Sequence, residues 1–402
     1  MENRITIIFI FLLVAFCSYN SQSQTLTNNY TNAATQLINN DQRVTFGGYG
    51  QIDYNQPFGN NSIQNGRLDV HRLVLLFGYR FSDKLSFVSE IELEHVKEVY
   101  VEQAFMQYSF NNYFQVRAGL MLVPMGIINE YHEPTTYHGV ERPLIDTYIV
   151  PTTWREIGFG LTGTVPEISF RYQAYLMNGF LSYNGSGQLS GQNGLRKGRQ
   201  KGAESIIHTP SLAFRAEYYG VLGLNMGLSA YSGKTQSSLY KNINRDEGTT
   251  IARADSSVVA ITMLGFDARH QLKALEFRGQ VYYAWINNTL EYNVFTADNG
   301  VNNDLGSAMY GYYAELAYNV FYGAKFTKTS LIPFVRYSSY NTQESVEPGI
   351  VKNESYQNEV ITAGIDWKIV SGLVLKADMQ MIKPAAADSY TNTFNVGIAI
   401  WF

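Results

Sequence analysis

The feature that most constrains the fold is a two-residue alternation of apolar and polar side chains that recurs along most of the chain. In 72–81 every odd position is apolar, whereas Arg72 and Arg80 occupy even positions. The same period recurs in 114–122 and 275–285. Successive side chains of a β-strand point to opposite faces, so these segments are predicted to be strands with one apolar and one polar face.

The connections between these segments decide what kind of sheet they form. Tight turns such as 82–84 alternate with long connections such as 123–154; the exceptions are a short loop at 95–97 and a longer turn at 321–329. Short turns on one side and long loops on the other are typical of bacterial outer-membrane barrels. We therefore predict an all-β protein, a 16-stranded antiparallel transmembrane β-barrel. Its strands are expected at about 43–54, 67–81, 85–95, 98–110, 113–122, 155–165, 168–178, 211–219, 223–231, 257–269, 273–286, 307–320, 330–340, 358–369, 373–381 and 390–402.

The last predicted strand carries a second sign of a membrane barrel. Large apolar residues alternate through 391–402, and the chain stops at Phe402. In a soluble sheet this row would lie exposed at an edge and favour aggregation. A strand that ends in an aromatic carboxyl terminus resembles the signal by which bacterial outer-membrane barrels engage the barrel-insertion machinery. The predicted partners are that machinery and outer-membrane lipid.

The first residues predict export. Residues 5–16 are apolar apart from Thr6, and small polar residues follow at 18–24. A spanning helix needs about 20 apolar residues, so this layout favours a cleaved secretory signal. Cys17, the only cysteine, lies in it, and a disulfide is not expected in the mature chain. An uncleaved anchor and lipid acylation of Cys17 are alternatives. The predicted organisation is a signal peptide at 1–24, a polar segment at 25–42 and the barrel at 43–402, in the bacterial outer membrane.

Composition agrees with this class. Charged residues are 16% of the chain, aromatic residues 14%, and tyrosines number 30. Tyrosine excess suits a chain with two water–lipid interfaces to line. A formal charge of -4 provides no basic field for nucleic acid, so no nucleic-acid partner is predicted.

The strand number predicts an aqueous channel, because barrels of about 16 to 18 strands are too wide for side chains to fill. If apolar faces meet lipid, the polar faces line water. Arg215 and Glu217 lie two positions apart on one face, as do Glu276 and Arg278. These charges could discriminate between ions or could equally well neutralise each other. The predicted pore-lining residues are Arg72, Arg117, Arg171, Arg215, Arg278, Arg336, Lys376, Glu92 and Glu276.

The long connection 123–154, here called L3, is predicted to fold into the lumen and narrow it. Its prolines and glycines prevent a long helix or strand, and irregular runs of this length in compact proteins are usually functional. The residues predicted to form the constriction are Pro124, Gly126, Glu130, Glu133, Glu141 and Arg142.

A family resemblance rests on the same region. The run GLMLVPMG at 119–126, followed by Glu130 and by Glu141 with Arg142, resembles the fifth strand and third loop of the phosphate-selective porin O and P family, although Met125 stands where phenylalanine is common. The resemblance implies a 16-stranded porin, commonly a homotrimer, with the third loop folded inward.

The function predicted from these features is a water-filled outer-membrane porin for passive diffusion of small hydrophilic solutes and ions, with weak selectivity. Phosphate-specific members of the family use arginine and lysine ladders, whereas L3 holds one arginine, Arg142, among several carboxylates. A phosphate- or anion-selective porin is the alternative. A basic run at 196–201 could gather anions at the mouth or could be a solvated loop.

Other chemistry is weighed against this function. His132, Glu133, His138 and Glu141 have side chains that suit a transition metal. However, Pro134 interrupts any helix, and the spacing is not that of a helical HExxH motif. No GxSxG motif occurs. No metal, no cofactor and no enzyme activity are therefore predicted, and a plugged barrel acting as a surface adhesin or an outer-membrane enzyme is the second alternative.

Overall fold

A computed structural model describes residues 32–59 and 63–402 of the chain, which fold into one closed antiparallel barrel of sixteen strands. The predicted signal peptide, 1–24, lies outside the described residues. In chain order the strands are β1 Val44–Phe58, β2 Arg67–Arg80, β3 Leu85–Glu94, β4 Glu98–Ser109, β5 Gln115–Leu122, β6 Arg155–Val165, β7 Phe170–Met177, β8 Leu181–Tyr183, β9 Ser211–Val221, β10 Leu224–Lys234, β11 Gln236–Ser237, β12 Ala260–Leu272, β13 Leu275–Asn287, β14 Ala308–Tyr318, β15 Ser330–Ser345, β16 Gln357–Val370, β17 Leu373–Pro384 and β18 Thr391–Trp401.

The predicted barrel is confirmed, and each of its sixteen strands corresponds to a predicted segment. Two short strands, β8 and β11, lie outside the barrel. Each of the sixteen barrel strands pairs with the barrel strands before and after it in the chain. The ring closes where β1 pairs with β18, with Gly50 opposite Ile400 and Tyr54 opposite Val396. Closure leaves no free sheet edge in the barrel.

The two faces of the wall differ as the alternation predicts. On β2, Leu73 and Leu75 are exposed, whereas Arg72, Val74 and Leu76, in the opposite phase, are buried. On β12, exposed Phe266 alternates with buried charged residues. Exposed apolar side chains on the outer face suit lipid, and the polar groups lie on the inner face.

Aromatic residues gather near the short turns. Phe81, Phe110 and Tyr113 are exposed there. Pairs of rings reinforce the arrangement, with centroids 4.8 Å apart for Tyr79 and Phe81 and 4.8 Å apart for Tyr108 and Phe110. Such rings favour the boundary between lipid and water.

One irregularity in the wall matters for the site. Between β3 and β4 the pairing shifts from Glu90 opposite Gln103 to Ile91 opposite Val101. Glu102 is the extra residue, and both it and Gln103 are buried. A bulge of this kind interrupts the two-residue period, and here it adds a carboxylate to the inner face.

Short elements outside the barrel were not predicted. The helices are α1 Ala33–Ile38, α2 Ile145–Tyr148, α3 Gly248–Asp255 and α4 Thr289–Phe295. The strands β8 and β11 form a small parallel sheet, and the long connections pack on one another: buried Tyr292 of α4 donates through its hydroxyl to Ser182 O at 2.8 Å. Among the described residues no helix is long and apolar enough to cross a bilayer.

The helix α1 packs against the wall near the short turns. Asn32 caps it by accepting a hydrogen bond from Thr35 N. Ala33, Ala34 and Leu37 form its buried face, and Arg80 of β2 donates to Asn40 O at 2.7 Å just after the helix. The end of the predicted polar segment 25–42 thus has a defined position against the barrel.

Candidate pore constriction

L3 contacts the inner face of strands that are far apart around the ring. Ile127 N donates to Gln280 of β13 at 3.1 Å, and Val140 N donates to Asp378 of β17 at 2.7 Å. Gln51 of β1 in turn donates to Val140 O at 3.1 Å. Attachment at several strands restricts the positions that the loop can adopt.

Close approach to the wall depends on a glycine. Gly126 has φ +69°, and a Cβ placed on it would lie 1.3 Å from Tyr282 Oη. A side chain at this position would therefore push L3 away from β13, in addition to straining the backbone.

A buried histidine joins L3 to β3 and β4. His132 Nε2 lies 3.3 Å from Glu90 Oε1 and 3.3 Å from Glu102 Oε2. The Tyr49 hydroxyl donates to Glu90 Oε1 at 2.6 Å. Arg155 Nη1 lies 3.7 Å from Glu102 Oε1, so the cluster draws on L3 and on four strands.

A second histidine joins L3 to the opposite part of the wall. His138 Nδ1 lies 2.7 Å from Asp366 Oδ2, and Nε2 lies 3.4 Å from Glu276 Oε2. Burial alone would lower the pKa of His138, but the hydrogen bonds that the ring donates to these two carboxylates outweigh burial and raise the pKa. The ring also stacks on Phe334, with centroids 5.5 Å apart.

The other predicted constriction residues are engaged with neighbours. Glu130 Oε1 accepts from Gln173 at 2.7 Å and Oε2 lies 3.2 Å from Arg215 Nε. Glu133 Oε1 accepts from Ala33 N of α1 at 2.6 Å. Glu141 Oε1 accepts from Asn55 at 2.9 Å, Arg142 donates to His132 O at 2.7 Å, and Pro124 lies in the buried start of the loop.

Most predicted wall cations form ion pairs. Arg215 Nη2 lies 2.9 Å from Glu217 and its Nη1 lies 2.7 Å from Asp267, while Arg278 Nη2 lies 2.5 Å from Glu276. Both pairs for which neutralisation was left open are therefore formed. The remaining predicted residues make these contacts: Arg72 with Glu92 at 3.4 Å, Arg171 with Glu217 at 2.9 Å, Arg336 with Glu315 at 2.6 Å, Arg117 with Gln107 at 2.6 Å and Lys376 with Tyr137 O at 2.6 Å.

Further charged residues of the interior were not included in the predicted set, among them Asp267, Arg269, Arg155 and Glu102. Asp267 and Arg269 are buried in phase on β12, and the alternation of that strand would have identified them. Arg155 is buried at the start of β6. Glu102 could not be found from a two-residue period because it is the bulged residue of β4.

Two of the cavities that border L3 lie on opposite sides of it. A cavity of about 210 Å³ lies toward the short turns, between α1 and the wall near Arg171 and Glu217. A cavity of about 510 Å³ lies toward the long loops. The basic residues that line the larger cavity come from the wall, L3 and the 178–210 connection: Arg67, Arg72, Arg142, Arg155, Arg196, Arg199 and Lys201. Four carboxylates share the lining: Glu92, Glu94, Glu141 and Asp146.

Cations in the larger cavity crowd one another. Burial and then the guanidinium of Arg196 lower the pKa of Arg199 to about 9. Arg199 Nη1 donates to Thr152 O, a neutral acceptor, and Lys201 Nζ lies 4.4 Å from the ring centre of Tyr100. Clustered cations of this kind are stabilised by an anion in the cavity.

Substitution of Gly126 tests how closely L3 must approach the wall. We expect Gly126→Ala to loosen L3, giving altered and noisier single-channel conductance and faster proteolysis within 123–154. Gly185→Ala is the matched control, because Gly185 also has positive φ, +76°, but a Cβ on it meets no atom within 4 Å. Equal effects of both substitutions would show that backbone strain, not contact with Tyr282, is responsible.

Asp146 of α2 provides a pH test. Burial raises the pKa of this carboxyl to about 8, although Gln280 Nε2 donates to both of its oxygens at 2.8 Å. The folded loop favours the neutral carboxyl, so the contribution of Asp146 to the free energy of unfolding is complete below the ordinary Asp pKa. This contribution is lost as the pH rises through about 8. Asp146→Asn should therefore raise the melting temperature at pH 9 and weaken its pH dependence. If the variant had a lower melting temperature than the wild type at pH 9, the result would contradict the raised pKa of Asp146.

Comparison with known proteins agrees with the architecture. Residues 44–395 match the family model described as phosphate-selective porin O and P. An uncharacterised protein of Aquifex aeolicus (strain VF5) is 32% identical over 359 residues, which are 86% of this chain and 77% of that protein.

Solved structures share the fold at low sequence identity. The outer-membrane channel DcaP of Acinetobacter baumannii superposes with TM-score 0.58 at 12% identity, over 89% of this chain and 97% of that chain. For an anion-selective porin from Comamonas acidovorans the TM-score is 0.56 at 13% identity, over 89% of this chain and 99% of that chain. For the trimer form of OmpT from Vibrio cholerae the TM-score is 0.51 at 11% identity, over 90% of this chain and 100% of that chain. The chain belongs to the phosphate-selective porin O and P family, and its family and fold are those of an outer-membrane channel rather than of an enzyme.

Proposed function

We propose that this outer-membrane porin passes small hydrophilic solutes by passive diffusion and prefers anions to cations. The observation that carries the anion preference is the cavity of about 510 Å³ with its cluster of basic side chains on the long-loop side. An ion that enters from this side meets this cavity before it passes L3. Seven arginine and lysine side chains outnumber four carboxylates in the lining, and an excess of one charge in a confined entrance raises the local concentration of ions of the opposite sign.

The acidic balance of L3, from which the sequence predicts weak selectivity, does not offset this field. Glu130 Oε2 lies 3.2 Å from Arg215 Nε, and Asp146 is buried against Gln280. Glu141 remains in the lining of the cavity, where basic side chains outnumber it. Carboxylates that are paired or kept neutral add little to the potential in the channel. Wall arginines such as Arg215 and Arg278 are likewise paired, so the wall gives no support to a phosphate-specific ladder.

In this proposal L3 is the constriction. Its hydrogen bonds to β1, β13 and β17 support a position across the lumen. The cavities on its two sides support solute paths that meet at the loop. The predicted wall residues, from Arg72 on β2 to Lys376 on β17, would then line the path above and below it.

The proposal includes compartment and assembly. A cleaved signal at 1–24 would export the chain, the last strand would engage the insertion machinery, and the exposed apolar face would meet lipid. The trimer form of the structurally similar OmpT supports a homotrimer.

Reversal potential in a salt gradient tests the anion preference. We expect the wild type to favour chloride over potassium, and Arg199→Gln with Lys201→Gln to reduce the preference. Lys197→Gln is the control, because Lys197 is exposed on the same connection and does not line the cavity. Cation preference in the wild type, or equal losses in the control, would contradict the proposal.

Removal of the L3 tip tests the constriction. Deletion of 126–141 should increase single-channel conductance, whereas deletion of 346–352 from another long connection should leave it unchanged. Unchanged conductance after the first deletion would place the constriction elsewhere. A wild-type protein that inserts and conducts no current would instead favour the alternative of a plugged barrel.

A further inference from the structure

The His132 cluster has the arrangement of a metal site rather than of an ordinary ion pair. His132 of L3, Glu90 of β3 and Glu102 of β4 are almost completely buried, with 1%, 0% and 0% of their surface exposed. Their ligand atoms all lie within 4.8 Å of one another. The three residues come from three separate segments of the chain and converge on one point.

The two ring nitrogens of His132 have different partners. Nδ1 lies 3.1 Å from Asn129 O, an acceptor, so Nδ1 carries a proton and donates it there. Nε2 faces both carboxylates and no other partner in the cluster. Histidines that bind metals usually donate their second ring N–H to a carbonyl or a carboxylate in this way.

The distances fit coordination better than hydrogen bonding. His132 Nε2 lies 3.3 Å from Glu90 Oε1 and 3.3 Å from Glu102 Oε2. A charge-assisted N–H to carboxylate hydrogen bond is typically about 2.7 to 2.9 Å long. Tetrahedral coordination with bonds of about 2.0 to 2.1 Å separates neighbouring ligand atoms by about 3.3 to 3.4 Å.

We propose that Glu90, Glu102 and His132 bind a divalent transition-metal ion, with zinc as the ion that suits one imidazole and two carboxylates. The coordinating atoms are Glu90 Oε1, Glu102 Oε2 and His132 Nε2. A doubly charged ion with two carboxylates and a neutral imidazole forms a group without net charge, which suits full burial.

Neighbouring side chains hold the carboxylate oxygens that the ion would not bind. Gln103 Nε2 donates to Glu90 Oε2 at 2.6 Å, and Thr153 Oγ1 donates to Glu102 Oε1 at 2.5 Å, which also lies 3.7 Å from Arg155 Nη1. The Tyr49 hydroxyl instead contacts the two proposed ligand oxygens, Glu90 Oε1 at 2.6 Å and Glu102 Oε2 at 3.3 Å. Outer partners of this kind orient metal ligands.

His138 and His71 do not offer the same set of ligands. His138 Nδ1 lies 2.7 Å from Asp366 Oδ2, whereas its Nε2 has a single carboxylate nearby, Glu276 at 3.4 Å, so two carboxylates do not converge on one ring nitrogen as they do at His132. His71 Nδ1 lies 2.8 Å from Asp53 Oδ2, and its Nε2 lies 2.7 Å from Arg72 Nη2. Arginine can only donate, so Nε2 accepts, Nδ1 donates, and His71 has no lone pair left for a metal.

In the sequence, His132, Glu133, His138 and Glu141 are residues of the types that bind metals, but their spacing predicted no metal site. Those four residues make separate contacts with the wall and with α1. The proposed site keeps only His132 and takes its carboxylates from β3 and from the bulge of β4. A bound ion would join L3 to the wall more firmly than the hydrogen bonds of the loop alone, and metal binding can be measured whether or not the channel conducts.

Metal content of untagged protein tests the proposal. Protein refolded in detergent with Zn²⁺ and dialysed should retain about one zinc per chain by mass spectrometry, and His132→Gln should lose it. His138→Gln is the matched control, because His138 is an equally buried histidine of the same loop, and it should retain zinc. A wild type that retains no more zinc than His132→Gln would overturn the proposal.

Two further measurements guard against variants that fail to fold. Wild-type protein refolded with Co²⁺ should show the visible absorption bands of protein-bound cobalt, which His132→Gln should lack, and their absence from the wild type would also overturn the site. Thr153→Val, which removes one donor to Glu102, should fold and bind zinc about 10- to 100-fold more weakly. Unchanged zinc affinity in this variant would contradict the assigned role of Glu102.

Discussion

The hydrocarbon core of a membrane provides no hydrogen-bond partners, so every backbone N–H and C=O that enters it must be paired within the protein. Closure of β1 on β18 meets this requirement for the whole sheet. The outer face of the wall is then free to be largely apolar, and most of the charged side chains of the strands are directed inward. The ion pairs, the attachment of L3 and the cavities all follow from that separation.

The interior satisfies a second requirement, that buried charge be compensated. Wall arginines pair with wall carboxylates, as Arg215 does with Glu217 and Asp267. L3 contributes to the same network through His132 and His138. Toward the long loops the compensation is incomplete, because basic residues from three parts of the chain meet in one cavity. The proposed anion preference depends on this local excess, since the formal charge of the whole chain is negative.

The strands could be predicted from sequence because each is a local pattern of period two, and the barrel follows from their connections. The pairing of Arg215 with Glu217 could be anticipated because both lie on one face of one strand. The limits have physical causes. Glu102 lies in a bulge, where the period fails. The short helices in the loops depend on distant contacts, such as that of Tyr292 with Ser182.

The candidate site was harder to predict than the fold for the same reason. The sequence identified L3 and its charged residues, but their partners lie more than 100 positions away in several cases, as in His138 with Asp366. No local pattern encodes such pairs. The metal ligands proposed here combine one residue of L3 with two of the wall, one of which the alternation could not assign to the inner face.

The seam between the first and last strands also affects how the barrel forms. Gly48 and Phe402 exchange backbone hydrogen bonds of 2.9 Å in both directions, although the whole barrel sequence separates them. Contacts between distant parts of a chain carry a loop-closure entropy cost and slow folding. The ring therefore cannot close until the final residues are available, so β1 must remain unpaired on one side, or be held by another protein, throughout synthesis and export.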